Sequence, residues 1–126
     1  MSAMRRLLIV DDNEAVRQLM VAVALQAGYE VLQAQDGAEA LKVAEMNRID
    51  LLVTDYDMPG ICGTELICLL QCRGLVDHSM VVTGNCGCLT GTNPGFAVQC
   101  LMKPFTPAQF LENVRELLAS PNPGAF

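Results

Sequence analysis

The sequence predicts an α/β domain: a doubly wound parallel sheet of five strands with helices on both of its faces. Short apolar runs without polar alternation, such as Leu7-Leu8-Ile9-Val10 and Ile49 to Thr54, suit strands buried on both faces, which is the condition of strands in a parallel sheet. Such runs alternate along the chain with segments whose apolar residues recur every three or four positions, and strand–helix alternation is what parallel crossovers require. The size agrees. A chain of 126 residues, 52% hydrophobic and 17% charged, can bury one ordinary core and has little of the composition of a disordered segment. One domain is expected over 1–126, with its core at about 6–118, a flexible tail at 120–126 and no output domain.

Taken in order, Leu7 to Val10 forms the first strand and ends at the acids Asp11 and Asp12. The first helix carries Val16, Leu19, Met20, Val23 and Ala27 at helical spacing, with Asn13 as N-cap and Gly28 as its stop. Tyr29 to Ala34 reads as the second strand. Asp36 caps a second helix bearing Ala40, Leu41 and Ala44, and the third strand, Ile49 to Thr54, runs into Asp55. Met58-Pro59-Gly60 is loop. A third helix over about Thr64 to Arg73 shows Leu66, Leu69 and Leu70 on one face. Ser79 to Thr83 and Ala97 to Met102 supply the fourth and fifth strands. Thr106 as N-cap and Pro107 at the first helical position open a last helix whose apolar stripe is Phe110, Leu111, Val114, Leu117 and Leu118.

One segment breaks the pattern. From Gly84 to Phe96, where alternation demands a fourth helix, the chain is rich in glycine and holds Pro94. Each interior Gly costs about 1 kcal/mol of helix propensity and Pro about 3 kcal/mol, so the fourth helix is expected to be short or irregular.

Charge and targeting signals narrow the functions. Eight basic residues against fourteen acids leave a net charge of -6, the wrong sign for a surface that attracts phosphate backbones, so no direct nucleic-acid binding is expected. The apolar run after Arg5-Arg6 is cut short by Asp11 and Asp12, which excludes a signal peptide, and no run approaches the ~18 residues of a membrane span. The expected compartment is the cytoplasm, and the six cysteines are then reduced thiols rather than a disulfide framework.

The unusual polar residues fall at strand ends: Asp11 and Asp12 after the first, Asp55 after the third, Thr83 at the end of the fourth and Lys103 after the fifth. Ligands of open α/β sheets sit outside the carboxyl ends of the strands, so these residues should converge. Three crowded carboxylates repel one another unless one keeps a proton or a divalent cation balances them. All-oxygen ligation of this kind suits Mg²⁺, with Mn²⁺ as a substitute. A lysine and a hydroxyl facing the metal supply what phosphoryl transfer needs, and Asp55 would be the nucleophile.

With these residues assembled, the chain resembles the receiver domains of bacterial two-component response regulators, the flavodoxin-like family of the chemotaxis receiver. The resemblance runs from about Arg6 to Leu118. It rests on Leu-Leu-Ile-Val-Asp11-Asp12, on Asp55-Tyr-Asp-Met-Pro59-Gly60-Ile-Cys-Gly63, on Val-Val-Thr83-Gly84 and on Lys103-Pro104-Phe105, in family order and each at a strand end. It implies strand order 2-1-3-4-5 and a cytoplasmic signalling domain, not an enzyme acting on a separate substrate. Asp55 would accept a phosphoryl group from a sensor histidine kinase or phosphotransfer protein. Asp12 would ligate Mg²⁺ directly, Asp11 through water, and the backbone carbonyl of Asp57 would be a further ligand. Thr83 and Lys103 would bind the phosphoryl oxygens, Gly84 would leave a path for the donor, and Pro104 would follow a cis peptide. The phosphorylated surface would act on a downstream protein.

Two departures from the family pattern stand out: Cys100 replaces the switch aromatic three residues before the lysine, and the segment 84–96 is glycine-rich. Ordering of that segment on phosphorylation is the alternative to an aromatic relay. The Asp57 side chain either positions water for hydrolysis or faces solvent. Cys68 and Cys72 share a helical face and Cys86 and Cys88 follow in a loop, but the spacing is no recognised zinc pattern, so reduced thiols are expected. Cys62 and Cys100 read as packing residues, and His78, near the start of the fourth strand, as a surface residue.

Two other functions compete. Asp55-Tyr-Asp57 resembles the first motif of haloacid-dehalogenase-like phosphatases, but in those the nucleophilic strand precedes the paired acids, and here it follows them. The second is a receiver-like interaction module that makes no use of the phosphate.

Overall fold

The computed structural model describes residues 4–84 and 99–119, and they form a five-stranded parallel sheet in the order β2-β1-β3-β4-β5 with helices on both faces. The elements are β1 (Arg6–Val10), α1 (Glu14–Gln26), β2 (Glu30–Ala34), α2 (Gly37–Met46), β3 (Ile49–Asp55), α3 (Gly63–Cys72), β4 (Val76–Thr83), β5 (Gln99–Met102) and α4 (Pro107–Ala119). The irregular fourth helix expected over 84–96, the cysteines at 86 and 88 and the tail at 120–126 lie outside the described residues, Gly84 excepted.

The strands are apolar without alternation because helices cover both faces: among the described residues, α1 and α4 cover one and α2 and α3 the other. Leu7, Ile9, Leu51, Val53, Met80 and Val82 pack with Met20 and Ala24 of α1 and with Phe110, Val114 and Leu118 of α4. Their chain neighbours Leu8, Val10, Leu52 and Val81 pack with Ala40 and Ala44 of α2 and with Leu66, Ile67 and Leu70 of α3. Every one of these strand residues is fully buried. A Leu or Ile side chain removed from water in this way contributes about 1.5–3 kcal/mol.

The helix boundaries follow from capping chemistry. The Asn13 side chain accepts from the Val16 amide and that of Asp36 from the Glu39 amide, each closing a free N-terminal N–H. Thr106 and Gln109 form a reciprocal capping box, the Gln109 amide donating to Thr106 Oγ1 at 3.1 Å and the Thr106 amide to Gln109 Oε1 at 2.9 Å. Gly28, at φ +96, takes the left-handed turn that ends α1.

β4 is longer than the sequence pattern suggested. It begins at Val76 because Ile49 and Leu51 of β3 pair with Val76 and His78. His78 is therefore not a surface residue: it is 5% exposed in a central strand covered on both faces. Among the described residues, no helix is long and apolar enough to cross a membrane.

Candidate functional site

β1 is flanked by β2 on one side and β3 on the other, so consecutive connections diverge at the β1–β3 boundary, and the carboxyl ends of these two strands frame the crevice. Val10 pairs with Thr54, which sets Asp11 and Asp55 side by side, one just after β1 and the other closing β3. Carboxylate oxygens of Asp11, Asp12 and Asp55 all lie within 4.8 Å of one another. Asp11 is fully buried, Asp55 is 6% exposed, and Asp12 is open to solvent.

The buried pair is held by a cation from the far end of the chain. The Lys103 amide donates to the Thr83 carbonyl at 2.8 Å, prolonging the β4–β5 pairing by one residue beyond β5. From there Lys103 Nζ reaches Asp55 Oδ1 at 3.3 Å and Asp11 Oδ2 at 3.5 Å. The Lys103–Pro104 peptide is cis. Thr83, 4% exposed, closes β4 one residue beyond Val82, the register partner of Asp55, and so occupies the same edge. Gly84 follows it, exposed, with no atom of the described residues within 4 Å of the place a Cβ would take.

Three carboxylates against one ammonium leave two negative charges unbalanced within this cluster. Asp55 registers the strain. Burial above all, then the charge of Asp11, push its carboxyl above the ordinary carboxylate range, and the opposing pull of Lys103 does not cancel them. An all-oxygen donor set with a deficit of two charges fits a divalent, hard cation such as Mg²⁺.

Backbone contacts outside the expected residues shape the crevice. Arg17, on the first full turn of α1, donates from Nη1 to the Asp11 carbonyl at 2.8 Å and from Nε to Gln33 Oε1 at 3.0 Å, which fixes the turn after β1. Asp11 Oδ1 accepts from the Asn13 amide at 2.9 Å. Gly63 starts α3 against the end of β3: a Cβ there would stand 2.5 Å from the Asp55 carbonyl oxygen and 2.9 Å from Tyr56 Cα, and its amide donates to the Tyr56 carbonyl at 2.9 Å. The glycine in Asp55-Tyr-Asp-Met-Pro-Gly-Ile-Cys-Gly63 was the only signal for this approach.

The remaining candidates are placed as follows. The Asp57 side chain is exposed, Pro104 is exposed, and Cys100 is partly buried on β5 opposite Val81. Cys62 is not a simple packing residue: it is the N-cap of α3, partly exposed, with Sγ 3.2 Å from Glu65 Oε1 and 3.4 Å from Thr64 Oγ1.

Fold and site together define a flavodoxin-like domain with an acidic, lysine-bridged cluster at its topological switch point. The response regulator receiver domain family matches residues 7–115, and the chain belongs to that family. Among curated relatives it is 45% identical over 67 residues, 53% of this chain and 10% of the relative, to the CAI-1 autoinducer sensor kinase/phosphatase CqsS of Vibrio cholerae. It spans about half the length of the curated regulators that it matches over nine tenths of its own. Among solved structures, chemotaxis protein CheY4 of Vibrio cholerae superposes with a TM-score of 0.83 at 31% identity, covering 91% of this chain and 99% of that one. The response regulator TrrA of Thermotoga maritima, solved in complex with Mg²⁺-BeF, gives 0.80 at 28% identity, covering 90% and 99%.

Proposed function

We propose that this domain is a Mg²⁺-dependent phosphoacceptor, with Asp55 taking the phosphoryl group of a phosphohistidine on a sensor histidine kinase or phosphotransfer protein. The observation that carries the reading is the Lys103 ammonium bridging the buried carboxylates of Asp11 and Asp55, with Asp12 alongside. Asp55 Oδ attacks phosphorus, the phosphorus–nitrogen bond of the donor breaks as the phosphorus–oxygen bond forms, and the imidazole keeps the electron pair. Asp12, Asp55 and the Asp57 carbonyl would hold the metal directly and Asp11 through water, and the bound ion would neutralise the charge that otherwise keeps nucleophile and phosphoryl group apart. Lys103 and the Thr83 hydroxyl meet the equatorial oxygens, and exposed Gly84 leaves the approach open.

The complex of the TrrA neighbour with Mg²⁺-BeF supports the metal and the phosphoryl mimic as ligands of this fold. Cys100 offers no ring to rotate, so the response to phosphate does not run through an aromatic relay, and it is read by a downstream protein. The net charge of -6 favours a protein over nucleic acid as that partner. Incubation with Mg²⁺ and acetyl phosphate is the test. The expected result is a mass increase of one phosphoryl group that disappears in Asp55→Ala; incorporation that survives in Asp55→Ala, or none in the parent chain with either acetyl phosphate or a kinase donor, refutes the proposal.

A further inference from the structure

A pair of thiols lies outside the acidic site. Cys68 and Cys72 stand one helical turn apart on α3, with their Sγ atoms 3.9 Å from each other. Cysteine is among the residues most often fully buried, yet Cys68 is only partly buried and Cys72 is exposed, so core packing does not account for the pair.

Geometry separates the two things such a pair could do. A disulfide needs Cβ atoms about 3.5–4.5 Å apart. Residues four apart on a helix hold them about 5–6 Å apart, so a disulfide requires the last turn to unwind. Two thiolates on one tetrahedral ion, with metal–sulfur bonds of about 2.3 Å, lie about 3.8 Å apart. The 3.9 Å separation meets that requirement with the helix intact.

Electrostatics at this end of the helix point the same way. Cys72 is the last residue of α3, and the last turn carries no basic side chain, so the negative end of the helix dipole is uncompensated there. Arg73, next in the chain, is turned to Glu45 at 2.9 Å. The hydrogen bond shared with Cys68 is the main reason the Cys72 thiol is pushed up, which marks the two sulfurs as direct neighbours.

We propose that Cys68 and Cys72 form a chelating dithiol for a thiophilic d10 cation of the Zn²⁺ and Cd²⁺ class, separate from the Mg²⁺ site. α3 begins against Asp55 at Gly63, and the thiols stand about 8 Å (Cys68) and about 14 Å (Cys72) further along its axis. Binding replaces two S–H bonds by two S–metal bonds, releases two protons to solvent and leaves the other positions to water. No oxidant or reductant takes part, and affinity rises with pH because protons compete.

The test is titration of the reduced full chain with Cd²⁺ alone, in excess Mg²⁺ to occupy the carboxylates, followed by thiolate-to-cadmium absorption. One Cd²⁺ per chain with two protons released is expected, together with an affinity at least ~tenfold weaker in the Cys68→Ser/Cys72→Ser variant. The band should survive when Cys62, Cys86, Cys88 and Cys100 are all changed to Ser. If that chain does not fold, Cys86→Ser/Cys88→Ser and the two single variants answer the same question. Retention of the band in Cys68→Ser/Cys72→Ser, its loss when the other thiols are removed, or half a Cd²⁺ per chain with dimerisation overturns the proposal.

Discussion

Lys103→Met removes the ammonium between Asp11 and Asp55 while keeping most of the side chain's bulk. The two contacts, 3.3 and 3.5 Å long, are each worth about 5 kcal/mol of gross attraction at an effective dielectric of 20. Most of that offsets the desolvation of the three groups, and breaking a buried pair costs about 3–5 kcal/mol net. Lys103 is 27% exposed, so water screens part of the interaction and the low end, about 3 kcal/mol, is expected near neutral pH. The pH dependence has a definite sign. Because the Asp55 carboxyl is raised in the folded chain, its contribution to stability is present while it is protonated and is lost as pH rises through the folded value. Lys103 is the group that lowers that value, so its removal raises it further and makes the decline steeper. The destabilisation should therefore be small in acid, grow toward neutral pH, and shrink again in millimolar Mg²⁺, which restores positive charge to the carboxylates. Urea denaturation of both chains across pH, with and without Mg²⁺, measures all three effects. A cost under about 0.5 kcal/mol, the scale of an ordinary surface substitution, or the same cost with and without Mg²⁺, would refute the reasoning.

Two further predictions concern the scaffold. Gly63→Ala forces α3 away from the Asp55 carbonyl, which its Cβ would approach to 2.5 Å, and should destabilise the fold by about 2–3 kcal/mol and weaken Mg²⁺ binding, whereas Gly84→Ala, with open space around it, should change stability by less than about 0.5 kcal/mol; equal effects by denaturant titration would contradict the packing argument. His78 is held neutral, chiefly by burial, so its contribution to stability is present above the ordinary value of 6.5 and is lost as pH falls from there; His78→Gln should flatten stability between neutral and mildly acid pH, and an unchanged slope would mean the imidazole takes up its proton in place.

How much was legible depended on the range of the interaction. Caps at Asn13, Asp36 and Thr106 were readable because each acts on an amide three residues away. The buried strands were readable because a parallel strand with helices on both faces shows no polar alternation, and the strand-end acids were readable because they interrupt those runs. The start of β4 was not. Val76-Asp77-His78 carries polar residues and looks like a loop until Ile49 and Leu51 are placed beside it. The same holds for Cys62, whose place as the N-cap of α3 follows from the close approach of Gly63 to Asp55.

By itself, the sequence determined the order of the elements among the described residues, the two-sided burial of the strands and the placing of Asp11, Asp12, Asp55, Thr83 and Lys103 at strand ends, because local periodicity and residue type are enough for each of these. Only the tertiary structure decided that Lys103 spans Asp11 and Asp55 together, across 92 and 48 positions of chain, and that Arg17 braces the Asp11 carbonyl. The physical reason is that charge balance and desolvation depend on distances through space. Those distances exist only once β1, β3 and β5 are aligned in one sheet with their carboxyl ends at a common edge.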